Sequence, residues 1–385
     1  MKVTRLFTSF FESEKAGGLV LVFCTMLSLF LANSQGSESY LHWWHTPMGG
    51  KPVEYWINDG LMAIFFLLIG LELEREVYIG ELSKIKDAAL PLAGALGGML
   101  VPALLFVVFN HDTPTHKGYG IPMATDIAFA IGILSLLGKR VPVALKVFLT
   151  ALAVIDDLGA ILMIAIFYTD SLDLVNLGIS LGVFGVLLIL NRLKVNNLLL
   201  YLIGGVIMWY FMLHSGVHAT ITGVLLAFAI PFENGSPRTI SYQLQQWLHH
   251  PVAFVIIPIF ALCNTAVVIE GNLIDTLHHP YSIGILVGLI VGKPLGIFAF
   301  SWLTVRFKLT QLPEGFTWQR LLGLGMLGGI GFTMSIFITL LAFDDTTVIN
   351  NSKFIIVIAS TVSGLLGYLW LQKTLPPNEA LPNQS

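Results

Sequence analysis

Charge is what this chain has least of. Only 11% of its 385 residues are Asp, Glu, Lys or Arg, while 55% are hydrophobic; a soluble domain ordinarily carries about 25% charged residues. That deficit excludes a soluble globule, because there is too little polar surface to cover so large an apolar mass. Cysteine is nearly absent as well. Cys24 and Cys263 lie in or near apolar runs and match neither disulfide nor metal-site spacing, so both read as packing residues. The net charge is only −3, and without a basic patch beyond the loop charges nothing suggests nucleic-acid binding. No small-residue cleavage site convincingly follows the first apolar run, so no cleavable signal peptide is expected. The amphipathic, charged start reads instead as an interfacial helix over 1–16.

What the chain has is apolar length. Its mean hydropathy is +0.81, and about twelve segments approach the roughly 20 residues needed to cross a bilayer, near 17–33, 59–77, 88–109, 120–137, 143–168, 174–191, 198–213, 216–230, 247–269, 281–303, 321–341 and 353–371. The prediction is an all-α polytopic membrane protein. No soluble domain fits between the spans, so 1–385 reads as a single transmembrane domain, with 374–385 a disordered tail. With the N-terminus placed inside, only Lys51, Lys117 and Lys353 of the 20 basic residues fall in outer loops and Lys293 falls within a span. The remaining sixteen are inside. That asymmetry puts both termini in the cytoplasm by the positive-inside rule. Gly49 and Gly50 are compatible with a β-hairpin outside the membrane, although an irregular loop fits equally well.

Asp156 and Asp157 stand side by side in the middle of the apolar run 143–168. A central acidic residue costs roughly 2.5 to 3.5 kcal/mol on insertion scales, and an ionisable residue at that depth is by default a functional site. The alternative is a carboxylate pair at a helix end or in a soluble core. At about 100° per residue the two side chains point different ways, so one can face a watery cavity while the other meets a neighbouring helix or Lys293. Burial disfavours the charged carboxylate, and hard cations want oxygen ligands. Deprotonated Asp157, the Thr125 hydroxyl, backbone carbonyls and water would supply them, leaving proton and cation to compete for one site.

Two spans carry signs of a break. GIPMATDIAFAIG at 120–132 places Pro122, Thr125 and Asp126 at mid-membrane depth, and GLGMLGGIGFTMS at 323–335 is dense in glycine. Glycines at this density also serve close helix packing; the occurrence of two such spans favours unwound backbone lining a site. Each break would expose a positive and a negative half-helix end of roughly half a unit charge. Asp126 is placed to offset the positive ends. Lys293, in LIVGKPLG, can offset the negative ends or pair with an aspartate, with snorkelling to the interface as the alternative.

The motifs ATDIAFAIG at 124–132, LAVIDDLGA at 152–160, SGVHAT at 215–220, GKPLGI at 292–297 and GIGFTMSIF at 329–337 closely resemble the NhaA-type bacterial sodium/proton antiporters, from about residue 10 to 373. The resemblance implies twelve helices in inverted repeats, with spans four and eleven broken and crossing, and a homodimer joined partly by a β-hairpin around 47–56. It implies an electrogenic exchanger of the bacterial inner membrane, not an enzyme, that exports Na+ or Li+ against H+ under pH control and needs no cofactor. Asp156, Asp157, Asp126, Thr125 and Lys293 are then the ion-binding and proton-carrying residues. The transported Na+ would sit on Asp157, Asp156 and Thr125, with Asp157 the direct ligand and Lys293 the partner of Asp156. Glu72 and Glu76, in GLELEREV, and His218 would take part in pH regulation, although the former also fit any solvated helix end and the latter a hydrogen-bonded packing histidine. Glu74 departs from the family where a basic residue can occur, and Gln245 near a position where an acidic one can sit.

Two other functions share some of these features. An intramembrane aspartyl protease needs two carboxylates from different helices sharing a proton, whereas here they are adjacent and no GxGD stretch is present. A proton-coupled carrier of an organic solute calls for more aromatic and amide side chains around its cavity than the small residues near these breaks supply.

Overall fold

The computed structural model describes residues 2–169, 172–268, 273–313 and 315–376. Among them nearly all regular structure is helical. Helix starts are written into the loops: Asp173, Asn197, Thr239, Thr317 and Asp345 each accept a hydrogen bond from a first-turn N–H, satisfying donors that the first turn leaves open. By length and apolar composition seven helices can cross a membrane, rising to ten if each of three bent pairs is one span. Large apolar side chains such as Phe23, Phe30, Leu104, Val108, Leu174 and Val206 stand more than 60% exposed, which suits a lipid solvent and makes this a multi-pass membrane protein.

The first helix, Lys2–Ala32, runs without interruption from the charged start into the apolar stretch, and Met1 lies outside the described residues. After a 114° bend, Ser37–His45 follows. The strands Pro47–Met48 and Lys51–Pro52 then pair antiparallel. The sequence left hairpin and loop open here; Gly49 and Gly50 decide for the hairpin, because their φ of 61° and 85° are the left-handed values that a two-residue turn between twisted strands requires. Val53–Tyr78 comes next, followed by Ile85–Asn110. Leu198–Leu213 has 16 residues and Ile221–Ala229 only 9, too few to cross alone. The span expected at 216–230 is thus helical over its second part only. Gly216, at φ 83°, sits in a turn closed by the bond from Val217 N–H to Ser215 Oγ. Helix Thr346–Thr374 closes the fold, and of the expected tail 377–385 lies outside the described residues.

Both spans with signs of a break are broken. Pro114–Met123 and Ile127–Leu136 meet at 43°, Trp318–Gly328 and Phe332–Ala342 at 47°. Between them runs Val143–Phe167, 67% buried over its most apolar stretch, against 11% for the lipid-facing helix Leu174–Arg192. Beside it Pro280–Arg306 crosses Ile85–Asn110 so closely that a Cβ added at Gly97 or at Gly296 would meet the other residue's carbonyl oxygen. That contact is backbone on backbone, with no flexible side chain to give way.

The crossing seats Lys293, three residues before Gly296, against the core. Gly296→Val is expected to destabilise the protein by about 1 to 3 kcal/mol or more through overpacking. Gly182→Ala, where nothing lies within 4 Å of the added carbon, should be neutral or mildly stabilising. Thermal unfolding midpoints of the two variants in detergent check this; equal midpoints would remove the close crossing as a determinant of stability.

Candidate ion-binding site at the crossing of two broken helices

The two interrupted spans pass each other at their breaks. Asp126 N–H donates to Ile330 O at 2.6 Å and the Ser335 hydroxyl donates to Ile121 O at 2.6 Å, so each unwound stretch is tied to the other span. Four half-helix ends meet here, and each has a partner. Asp126 caps Ile127–Leu136 by accepting from Phe129 N–H at 2.9 Å through Oδ1. Its Oδ2 accepts from the N–H and the hydroxyl of Thr333 at 3.0 and 2.6 Å, at the start of Phe332–Ala342. One carboxylate thus faces the positive ends of both C-terminal halves, as the charge of those ends demands.

The negative ends are met by donors. Lys293 Nζ donates to Met123 O, the last carbonyl of Pro114–Met123, and lies 2.7 Å from Asp156 Oδ2. The sequence offered offsetting a helix end and pairing with an aspartate as alternatives; Lys293 does both, and at 0% exposure it does not snorkel. Thr125 Oγ1 lies 2.8 Å from Gly328 O, the last carbonyl of Trp318–Gly328, and 2.8 Å from Asp156 Oδ2. A hydroxyl carries one proton, so it donates to one of these at a time.

The five central residues are brought together and buried: Thr125, Asp156 and Lys293 at 0%, Asp157 at 1% and Asp126 at 2% exposure. Their carboxylates are held differently. Asp126 accepts three hydrogen bonds and Asp156 accepts from Lys293 and Thr125. Asp157 accepts none among the described residues, and Asp156 Oδ1 and Asp157 Oδ1 are both buried without a partner. The free oxygens on these two adjacent carboxylates are of the kind a small hard cation takes, and either equally takes a proton; among the described residues no group of three or more His, Cys, Asp or Glu side chains is gathered as a metal site.

The residues expected to regulate by pH are not gathered at this centre. Glu72 Oε1 stands 4.0 Å from His249 Nδ1, while Glu76 Oε2 accepts from Glu81 N–H at 3.1 Å. His218 lies beyond the opposite end of Val143–Phe167, its Nε2 2.8 Å from Tyr168 O. Departures noted in the sequence have structural counterparts: Gln245 Oε1 accepts from Arg75 at 3.3 Å, and Glu74 is buried. Thr333 and His249 were not singled out as site residues. A hydroxyl just after a glycine run was the available signal for Thr333; nothing local marked His249.

Broken apolar helices crossing around buried carboxylates and a lysine are the arrangement of a secondary ion transporter. Residues 8–371 match the model of the Na+/H+ antiporter 1 family, and the chain belongs to that family. It is 66% identical over 375 residues to the Na(+)/H(+) antiporter NhaA of Flavobacterium psychrophilum, covering 97% of this chain and 98% of the relative. Identity to the NhaA of Cytophaga hutchinsonii is 58%, with 100% and 99% covered. To that of Escherichia coli it is 46%, with 96% and 98% covered.

The Lys293–Asp156 contact makes a double substitution informative. Lys293→Met leaves Asp156 as a buried charge without its counterion and should cost about 3 to 5 kcal/mol. Adding Asp156→Asn should return most of that loss, because a neutral amide beside an apolar chain is a smaller penalty. Thermal unfolding of both variants in detergent decides the matter, and additive losses would show that the two side chains are not energetically coupled.

Proposed function

We propose that this protein is an electrogenic Na+(Li+)/H+ antiporter that exports cytoplasmic sodium in exchange for protons, contributing to sodium and pH homeostasis. The observation that carries it is Asp157, a carboxylate 1% exposed with no hydrogen bond or ion pair among the described residues, beside the Asp156–Lys293 pair at the helix crossing. The relatives' names and family membership support it. In this mechanism Asp157 is the direct sodium ligand, helped by Thr125, backbone carbonyls and Asp156. Asp126 and Thr125 hold the two broken spans together at the crossing, and the transported ion needs no resident cofactor.

Sodium and protons exclude one another at such a site. The cation binds only when the carboxylates have lost their protons, so acidification empties the site and alkalinity loads it. If Asp157 gives up one proton and the Asp156–Lys293 pair another, one Na+ replaces two H+ and each cycle moves a net charge. The voltage then drives export with roughly 2.3 kcal/mol per elementary charge per 100 mV.

Several further features belong to the same proposal. Seven continuous spans, the two crossing pairs, the first helix and the two short helices add up to twelve membrane elements, arranged as inverted repeats. The charged start of the helix Lys2–Ala32 is assigned to the membrane interface. The exposed hairpin at 47–52 supports a homodimer, and the loop charges support a bacterial inner-membrane location with both termini cytoplasmic. Glu72, Glu76 and His218 are assigned to pH regulation, with Glu72 facing His249 at the inner end.

Purified protein in liposomes should move protons on addition of Na+ or Li+ between about pH 7 and 9, and Asp157→Asn should abolish both exchange and sodium binding while folding as well as the parent. Sodium binding retained by that variant in calorimetry would show the ligand to be misassigned. No proton movement with either cation would overturn the function itself.

Electrogenicity has a separate readout. Sodium jumps on protein adsorbed to solid-supported membranes should give transient currents whose apparent sodium affinity falls several-fold per unit below about pH 8. Silent, electroneutral exchange would leave antiport standing and remove the two-proton cycle.

A further inference from the structure

Residues two apart on a helix point about 200° apart, so Glu74 lies on the opposite helix face from Glu72. Glu74 is 4% exposed, and among the described residues its Oε2 has no hydrogen-bond partner and no basic side chain pairs with it. A buried carboxylate without a counterion is expensive, and no transport step uses it. It lines a cavity of about 320 Å³ together with Tyr78, Asn191, Phe228, Phe232 and Asn234.

The chemistry of these walls selects a ligand. A carboxylate with no basic residue in the lining rejects an anion. A bare metal ion wants about six or more oxygens at roughly 2.0 to 2.6 Å, and three of the six side chains named are aromatic. An organic ammonium group matches on both counts, pairing with the carboxylate and lying against ring faces. Tyr78 and Phe232 form one such wall, their centroids 5.5 Å apart. Asn191 spends its Nδ2–H on Ala229 O at 3.0 Å, which leaves its Oδ1 as an acceptor for an ammonium N–H.

Position selects the source. Tyr78 is the last residue of Val53–Tyr78, and Asn191 stands next to last in the lipid-facing helix Leu174–Arg192, so the cavity opens at the depth of lipid headgroups. Arg192 and Lys194 stand one and three residues after Asn191 and carry the charge that a lipid phosphate would meet. We propose that this cavity binds a primary ammonium group, supplied by the ethanolamine headgroup of a phospholipid in the adjoining leaflet. The site is separate from the ion-binding crossing, and its occupancy is read without measuring transport.

Native mass spectrometry of the full chain, released from detergent with dioleoyl phosphatidylethanolamine or dioleoyl phosphatidylglycerol, tests it. The parent should retain the ethanolamine lipid with a preference of about fivefold or more, Glu74→Gln and Phe232→Leu should each bring that preference close to one, and Glu74→Asp should keep most of it. No preference in the parent, or a full preference in a folded Glu74→Gln, would overturn the proposal. Free ethanolamine serves as competitor. Displacement of the lipid by the free amine at concentrations comparable to the lipid's own would overturn the lipid as source.

Discussion

Irregular backbone inside a bilayer must find its hydrogen bonds and counter-charges within the protein, because hydrocarbon offers neither. Here that requirement is met by Asp126, Thr125 and Lys293, which between them answer all four half-helix ends at the crossing. Each does so for a span other than its own, or for both halves at once. The crossing is consequently held by side chains that are themselves polar and buried. Removing any of them would expose an unpaired end to a medium that cannot solvate it.

That arrangement separates neighbouring carboxylates into different circumstances. Asp126 has most of its acceptor capacity committed to N–H and hydroxyl donors, which stabilises the anion where it is. Asp156 shares one oxygen between Lys293 and Thr125 and leaves the other unpartnered. Asp157, one residue on and turned by a helical step, accepts no hydrogen bond among the described residues, and its Oδ1 is buried without a partner. From Asp126 on one span to Asp156 and Asp157 on another, the hydrogen bonding of the carboxylates thus falls away step by step.

The sequence made the centre of this protein legible and its periphery much less so. Adjacent aspartates in an apolar run, a lysine flanked by apolar residues, and a proline or a glycine cluster within a span are local signals, and all of them fall at the crossing. Gly49 and Gly50 foretold a possible turn, but only the paired strands distinguish hairpin from loop. Ile221–Ala229 was read too long because 216–230 has the hydropathy of a span, and hydropathy does not register a positive φ at Gly216. Thr333 acquires its role from Asp126, 207 positions away, and His249 from Glu72; such pairings exist only after packing. Whether Glu74 was solvated or buried was likewise invisible, since GLELEREV reads as an ordinary charged helix end.

The Thr125 hydroxyl sits at equal distance, 2.8 Å, from two acceptors. Rotation about one C–O bond moves its hydrogen from the aspartate to the half-helix carbonyl without displacing a heavy atom. When Asp156 is anionic its pull on that hydrogen is the stronger, and the carbonyl of Gly328 is released. When Asp156 is protonated the hydrogen returns to the carbonyl. Protonation on one helix is thereby coupled to hydrogen bonding on another.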